Sequence, residues 1–308
     1  GKTGSRPDLS SGFDEPRAPP KATGPAKGMK LGKSGKANMF MEALKNEGDL
    51  MELTEPKAKG AAAAPAAPTE AISIAVEERV VCQLKKDGGV DNLEVQGTMA
   101  LEVASEEAAF IRVNIAQGEN KGFQFKTHPN IDKALHQQGQ LGLKDPARPF
   151  PTGSALGILK WRMQTREEDM VPLSINCWPS VSGGQSYVSI EYEANDRMDL
   201  HNVKIAIPIP PVRDPPSVNN CDGDYRYDAR ACVLMWEIDL IDDSNRNGSM
   251  EFVVPASDND AFFPVEVMFS SKSIFCDVSV LDVVKTEDGT PVKYAITTGL
   301  GVDQYQVV

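Results

Sequence analysis

The sequence predicts an all-β protein preceded by a flexible N-terminal linker. From residue 71 onward, short segments alternate between apolar and polar residues, which is the pattern of half-buried strands. Turn-forming residues separate these segments at intervals of roughly 8 to 12 residues, as in β-sandwiches. A helical pattern is nearly absent after residue 70, where a single turn is predicted over residues 131–137. Together these observations favour an all-β sandwich architecture.

The chain is acidic and long enough for a sizeable core. Its 308 residues carry a formal net charge of −12, and this length accommodates one large or two medium domains. The acidic balance argues against nucleic-acid binding. Because the chain opens with Gly1 and lacks an apolar run of membrane-spanning length, we expect an excised or processed fragment of a soluble protein without a signal peptide.

The spacing of cysteine and histidine predicts neither a metal site nor a redox site. The five cysteines form no C-x-x-C pair, and the three histidines do not lie at metal-ligand spacing from one another or from a cysteine. We therefore expect reduced thiols in the cytosol and no metal or other cofactor. Asp222, Asp224 and Asp228 resemble part of a calcium loop, but the closing bidentate glutamate is missing.

Residues 1–70 are predicted to form a flexible linker with one short helix. Proline, glycine, serine and lysine dominate residues 1–36, and alanines broken by prolines fill residues 57–68. Neither stretch has enough apolar surface to offset the entropy of ordering. Between them, residues 38–47 predict an amphipathic helix, because Phe40 and Leu44 share a face and the glycine that follows suits the C-terminal end.

The lysine tract before this helix and the helix itself form a candidate contact with a membrane or a partner. Each lysine would contribute about 1 kcal/mol beside an anionic membrane surface. Two alternatives stay open, because the tract could be a solvated linker and the helix could dock on its own domain. The residues assigned to this contact are Lys27, Lys30, Lys33, Lys36, Met39, Phe40 and Leu44.

The predicted strands follow one another from residue 72 to the C-terminal region. The stretch 157–179 holds two of the three tryptophans, and Leu159, Trp161 and Met163 share one face of its first strand. Prolines at and after residue 208 end the strand that begins at residue 200. The predicted strands cover residues 72–76, 80–84, 95–103, 110–115, 157–164, 173–178, 187–192, 200–209, 233–238, 249–254, 265–269, 275–284 and 292–298.

No catalytic signature is present in the sequence. It lacks a G-x-S-x-G elbow, a Walker loop, a dinucleotide fingerprint and an H-E-x-x-H motif. Trp161 and Trp236 fall on apolar strand faces, where packing in the core is the usual outcome. We therefore expect a binding module without enzymatic activity, because sheets recognise partners through exposed edge strands and adjacent pockets.

Several separated motifs occur in one order, and together they closely resemble the coatomer delta-subunit family (delta-COP, archain). The motifs are Met29–Lys33, the helix 40–48, Asp87–Gly89, Thr127–Lys133, Leu159–Arg162, Ile175–Pro179 and Asp260–Val265. The resemblance implies a linker at 1–70 and a mu-homology domain at 71–308. It also implies an elongated pair of β-sandwich subdomains, with the first at 71–164 and 271–308 and the second inserted at 165–270.

The resemblance also implies a function. Members of this family assemble the COPI vesicle coat with the other coatomer subunits, on the cytosolic face of Golgi membranes and COPI vesicles, for retrograde Golgi-to-ER and intra-Golgi transport. Their mu-homology domain is associated with short tryptophan-containing motifs of tethers and Arf GTPase-activating proteins. The lysine tract and its helix would then contact the coat or the Golgi membrane. The resemblance does not place the peptide-binding pocket on this sequence.

The alternative function is a receptor for tyrosine-type cargo signals, as in the clathrin-adaptor medium chains. Those chains carry an aromatic residue and an aspartate where this sequence has Ser73 and Ala75, and a tryptophan where it has Pro291. A pocket for a phenol needs an aromatic wall and an acceptor for the hydroxyl, so the tryptophan-motif function is favoured. Trp161 and Trp178 are interpreted as core and hinge residues where the chain crosses between the subdomains.

Overall fold

A computed structural model describes residues 70–308, which form three β-sheets. The largest sheet has nine strands: β1 (Ile72–Leu84), β2 (Val90–Val103), β4 (Gln124–Thr127), β6 (Leu156–Thr165), β9 (Leu200–Pro208), β11 (Asp224–Asp228), β12 (Val233–Ile241), β14 (Val265–Ser271) and β16 (Ala295–Val307). A four-stranded sheet consists of β7 (Leu173–Ser182), β8 (Gln185–Ala194), β10 (Ser217–Cys221) and β13 (Asn247–Pro255). The third sheet consists of β3 (Ile111–Gln117), β5 (Gln140–Leu141) and β15 (Val278–Lys285).

Helical structure within residues 70–308 is confined to short segments. One α-helix, α1 (Lys133–Gln137), is capped at its N-terminus by Asp132, whose side chain accepts hydrogen bonds from the amides of Ala134 and Leu135. The predicted turn over 131–137 and the all-β fold class are therefore confirmed. Three 3₁₀ turns cover Glu106–Ala108, Glu168–Met170 and Asn259–Phe262. The predicted linker and its helix lie outside the described residues.

The nine-stranded sheet joins distant parts of the chain. Its strand order is β11-β12-β9-β14-β16-β1-β2-β6-β4. The last strand, β16, pairs in parallel with β1 and antiparallel with β14. Strands from the predicted inserted segment, 165–270, and strands from the predicted first subdomain therefore belong to one continuous sheet. The division into two subdomains at those boundaries stays a prediction.

Two groups of buried residues lie along a single face of β1. Val80, Cys82 and Leu84 belong to a core cluster that includes the inward side chains of the four-stranded sheet, among them Ile190 and Phe252. Ile72, Ile74 and Val76 are also buried but lie outside that cluster. The three-stranded sheet buries Val113 and Val283 in the same way. The four-stranded sheet therefore shares its core with the Val80–Leu84 end of β1.

Glu78 lies on β1 between these two groups and is 1% exposed. Its carboxylate accepts hydrogen bonds from Trp161 Nε1 at 2.8 Å, from the Phe275 amide at 2.6 Å and from the Cys276 amide at 3.0 Å. The contact ties β1 to β6 and to the connection between β14 and β15. A buried carboxylate is tolerated when hydrogen-bond donors replace its water.

A glycine makes room for Trp161 beside this carboxylate. Gly97 on β2 pairs with both Glu78 and Trp161, so the three residues form one row across the sheet. A Cβ atom at Gly97 would lie 2.0 Å from the Trp161 ring, which is far inside van der Waals contact. The gap that Gly97 leaves in the apolar face of β2 is therefore filled by the indole.

Two aromatic side chains tie the nine-stranded sheet to the four-stranded one. The hydroxyl of Tyr305 on β16 donates to the carbonyl of Leu173 on β7. Trp236 Nε1 on β12 donates to the carbonyl of Asp222 at 2.8 Å, and its ring lies 5.3 Å from that of Tyr192. The core positions predicted for Trp161 and Trp236 are confirmed, because their side chains are 3% and 0% exposed.

Trp178 is not a core residue, which corrects the sequence-based interpretation. Its side chain is 52% exposed. The reason is the alternation of β7, which points Leu173, Ile175 and Cys177 inward and leaves Trp178 on the outward side. Ile158 is buried although alternation along β6 would place it on the outward side. A register shift between β2 and β6 allows it to join Leu159 in the interior.

Replacing Glu78 with glutamine tests the buried contact. One amide N–H of the glutamine would face a donor that now binds the carboxylate, so Glu78→Gln should lower the free energy of unfolding by about 1–3 kcal/mol at pH 7. Urea denaturation measures the change. The matched control is Glu77→Gln, an exposed neighbour on the other face of β1, with an expected change within about 0.5 kcal/mol. Equal stability of the E78Q variant and the unmodified chain would contradict this account.

The pH dependence of stability gives a second readout of the same substitution. Burial raises the pKa of Glu78 above its ordinary value of 4.5, although the hydrogen bonds from Phe275, Trp161 and Cys276 oppose the rise. A carboxyl whose pKa is higher in the folded chain contributes stability that is lost as pH rises from 4.5 through the folded pKa. The stability difference between the unmodified chain and E78Q should therefore shrink as pH rises over this interval.

Candidate functional site

The membrane or coat contact predicted from the sequence cannot be placed on the fold. Lys27, Lys30, Lys33, Lys36, Met39, Phe40 and Leu44 all lie outside the described residues. That contact stays a prediction. The surfaces that residues 70–308 offer to a peptide are the edges and outward faces of the three sheets.

One such surface is the edge of β16 on the side opposite β1. Ser73 on β1 pairs with Ala295, and Ala75 pairs with Thr297. On the other side of β16, pairing with β14 begins at Leu300, so among the described residues 295–299 pair only with β1. Backbone groups at a free strand edge are able to bind an added extended strand. This edge is referred to below as the β16 groove.

The side chains beside the β16 groove are mostly small. Ser73 and Ala75 are half-buried, Ile296 is 45% exposed, and Thr297 and Thr298 are also exposed. Ser73 and Ala75, which stand where the adaptor medium chains were expected to carry an aromatic residue and an aspartate, supply neither an aromatic ring nor a carboxylate. Glu77 is two residues further along the same face of β1, at a distance of about 7 Å along the strand. The groove therefore has apolar surface but lacks the acceptor that a phenol would need at Ala75.

The segment just before β16 is held against β15. Pro291 forms a bridge with Val284, and the amide of Val292 donates to the carbonyl of Val283 at 2.7 Å. The hydroxyl of Tyr294 donates to the carbonyl of Leu281. Pro291, the position where adaptor medium chains were expected to carry tryptophan, is thus part of the β15 hairpin and supplies no aromatic ring to the groove.

A second surface, which the sequence analysis did not identify, is the outward side of the four-stranded sheet. Trp178 on β7 and Tyr187 on β8 are 52% and 45% exposed there. Exposed aromatic side chains beside polar groups are common anchors for protein partners. The alternation of β7 already grouped Trp178 with Ser174 and Asn176, and this grouping was the available signal for an outward position.

Among residues 70–308, two buried thiols are poorly reactive and the acidic groups do not gather into a metal site. Burial raises the pKa of Cys82 and of Cys177 to about 12, so these thiols stay protonated at neutral pH and are poor nucleophiles. Within the same residues, no group of three or more His, Cys, Asp or Glu side chains is arranged to hold a metal ion. Asp222 binds Ser249 and Asp228 binds the amides of Arg230 and Ala231.

Comparison with known proteins places the chain in a family. Residues 61–305 match the adaptor complexes medium subunit family. Coatomer subunit delta-1 of Oryza sativa is 47% identical over 95% of this chain, and coatomer subunit delta-4 of the same species is 46% identical over 91% of it. The chain belongs to the coatomer delta subunits. It spans 56% of the length of the delta-1 relative and 76% of the delta-4 relative.

A solved structure shows the same fold as this coatomer delta chain. The yeast delta-COP-I mu-homology domain, solved in complex with a Dsl1 WxWxV peptide, superposes with a TM-score of 0.68 at 26% sequence identity. The match covers 79% of this chain and all of the yeast chain. The mu-homology fold predicted by the resemblance is therefore confirmed. Among residues 70–308 the structure contains no helix that is long and apolar enough to cross a membrane.

Proposed function

We propose that this chain is the non-enzymatic, peptide-binding part of a COPI coat subunit, and that its mu-homology domain binds short tryptophan-containing motifs of tethers and Arf GTPase-activating proteins. The observation that carries the proposal is the similarity to the yeast domain solved with a WxWxV peptide, which extends over the whole of that yeast chain. At 26% identity the likeness includes sequence as well as fold.

The cellular setting of the proposal follows from kinship with coatomer delta subunits. The chain would act with the other coatomer subunits on the cytosolic face of Golgi membranes and COPI vesicles, in retrograde Golgi-to-ER and intra-Golgi transport. It would need no cofactor and bind no nucleic acid. The net charge of −12 supports the last point, because a nucleic-acid site needs an excess of basic side chains.

The shape and chemistry of the domain support an extended peptide as ligand. Sheets recognise such peptides by main-chain hydrogen bonds at an edge and by pockets for alternate side chains. A tryptophan supplies a large apolar area and a single N–H donor, so two tryptophans provide most of the binding energy of a short motif. Such a ligand does not require the carboxylate acceptor that a tyrosine hydroxyl would need.

The alternative function, a receptor for tyrosine-type cargo signals, has less support from the geometry. Ser73 and Ala75 provide no aromatic wall and no carboxylate in the β16 groove, and Pro291 is held against β15. A phenol in this groove would lose the hydrogen bond of its hydroxyl, which costs about 1–3 kcal/mol for a buried polar group.

Calorimetric titration of the whole chain distinguishes the two functions. A WxWxV peptide should bind saturably, and replacing both tryptophans with alanine should weaken binding at least tenfold, because each buried tryptophan contributes about 2 kcal/mol. A tyrosine-signal peptide of equal length and charge should show no saturable heat. Saturable binding of the tyrosine peptide, without binding of the WxWxV peptide, would favour the cargo-receptor function over the proposed one.

We also infer that the lysine tract and its following helix contact the Golgi membrane or the coat. Replacing Lys27, Lys30, Lys33 and Lys36 with glutamine should weaken sedimentation with anionic vesicles by about tenfold or more, because each lysine contributes about 1 kcal/mol near such a surface. The matched control replaces four exposed lysines of the described region, Lys121, Lys133, Lys144 and Lys285. Unchanged sedimentation of the first variant, or equal loss in both, would refute a specific contact.

A further inference from the structure

The outward side of the four-stranded sheet combines exposed aromatic rings with unbalanced negative charge. The residues that define this acidic-aromatic face are Trp178, Tyr187, Glu191, Glu193, Asp222 and Glu251. None of the Glu or Asp side chains on this face is buried. The face is distinct from the β16 groove, which is on the nine-stranded sheet.

Strand register sets the order of these residues across the sheet. Trp178 pairs with Ser189, which pairs with Glu251. The next row contains Asn176 and Glu191, and it ends at Ser249, whose amide donates to Asp222 Oδ2 at 2.8 Å. Successive rows on one face of a sheet are about 7 Å apart. The row that contains Trp178 therefore lies directly beside the row that contains Glu191 and ends next to Asp222.

The negative charge of the face has no basic counterpart. Strands β7, β8, β10 and β13 contain no lysine, arginine or histidine. Within residues 70–308, no lysine or arginine forms an ion pair with Glu191, Glu193, Asp222 or Glu251. The negative charge also acts on a neighbouring buried group. The pKa of Tyr192 is raised mainly by burial, and the charge of Asp222 raises it further.

A recess in this face has room for the end of a long side chain. Its volume is about 300 Å³, and its polar lining consists of Asn176, Glu191, Glu193, Asp222, Asn247 and Ser249. The lining therefore combines carboxylates, which bind cations, with side-chain amides and a hydroxyl, which orient them. Trp178 lies one row away, where its ring could stack on a cationic group.

We propose that the acidic-aromatic face binds an extended segment of a partner protein that carries lysine or arginine at alternate positions. Alternate residues of an extended peptide project about 7 Å apart, which matches the spacing of the rows on the face. One basic side chain enters the recess, and a second lies between Trp178 and Glu251. Acidic peptides and anionic membranes are repelled by the same charges. The proposal does not depend on tryptophan-motif binding.

The test uses the whole chain and a ten-residue probe peptide in which lysine alternates with serine or valine. Binding is measured by fluorescence, because Trp178 is the exposed tryptophan and Trp161 and Trp236 are buried. The lysine peptide should bind saturably and a glutamate peptide of the same pattern should not. Raising the ionic strength from about 0.05 M to about 0.5 M should weaken binding several-fold, because salt screens exposed charges.

Variants assign the binding to this face. The triple variant E191Q/E193Q/E251Q should weaken the lysine peptide about tenfold, since each exposed ion pair contributes a factor of about two to five. The matched control E106Q/E107Q/E119Q removes three exposed carboxylates elsewhere and should change affinity less than twofold. Trp178→Ala, followed by calorimetry, should weaken binding about threefold through loss of the stacking contact.

Two results would overturn the proposal. One is equal affinity of the unmodified chain and the E191Q/E193Q/E251Q variant. The other is an equal loss in that variant and in the E106Q/E107Q/E119Q control, which would show attraction to net charge alone. Because all six substituted side chains are exposed, circular dichroism should show unchanged folding, so a loss of binding reports the face itself.

Discussion

The carboxylate of Glu78 is the contact on which the rest of this structure depends. A carboxylate in an apolar interior costs several kcal/mol unless donors replace its water. Here the indole N–H of Trp161 and two consecutive backbone amides, at Phe275 and Cys276, supply those donors. Because the three donors come from β6 and from the β14–β15 connection, one side chain fixes β1, β6 and the entry into β15 in a single arrangement.

Glu78 also interrupts the apolar face of β1, which would otherwise run unbroken from Ile72 to Leu84. On one side of it, Val80, Cys82 and Leu84 belong to the core cluster that includes the four-stranded sheet, and on the other side Ile72, Ile74 and Val76 are buried outside that cluster. Tyr305 and Trp236 then join the nine-stranded and four-stranded sheets by hydrogen bonds to Leu173 and Asp222.

The separation of the sheets has a consequence for binding. The β16 groove belongs to the nine-stranded sheet, while the acidic-aromatic face belongs to the four-stranded sheet and points away from the core. The two surfaces differ in chemistry as well as place, since the first has small, mostly uncharged side chains and the other is acidic with exposed aromatic rings. If both proposals hold, the two peptides would bind on different sheets and would not compete for one site.

The sequence predicted most of the long strands, because alternation reports which side chains face a core. It missed the short strands β4, β5, β10 and β11 and ended the last strand at residue 298, although β16 continues to Val307. It placed Trp161 and Trp236 correctly, but it could not show that the Trp161 indole fills the space beside Gly97, since pairing partners are not encoded in alternation. The alternation from Ile72 already placed Glu78 on the inward face of β1. Because a carboxylate is unusual in a core, the sequence was interpreted as two strands, 72–76 and 80–84, instead of one.

Trp178 was interpreted as a core residue but is exposed. Its strand alternates clearly and places it with polar residues, but its proximity to Trp161 in the sequence and its place in a family motif favoured a core and hinge role. The peptide-binding position could not be predicted at all, because a pocket depends on which strands meet at an edge. The linker contact also stays outside what the fold describes.

Chemical-shift mapping by NMR tests the central claim most directly. On an isotope-labelled whole chain, a WxWxV peptide should cause saturable shifts in the amides of the mu-homology domain, and a tyrosine-signal peptide should leave the amides of Ser73, Ala75 and Thr297 unmoved. Saturable shifts at those three amides with the tyrosine peptide, together with none anywhere in the domain with the WxWxV peptide, would contradict the account.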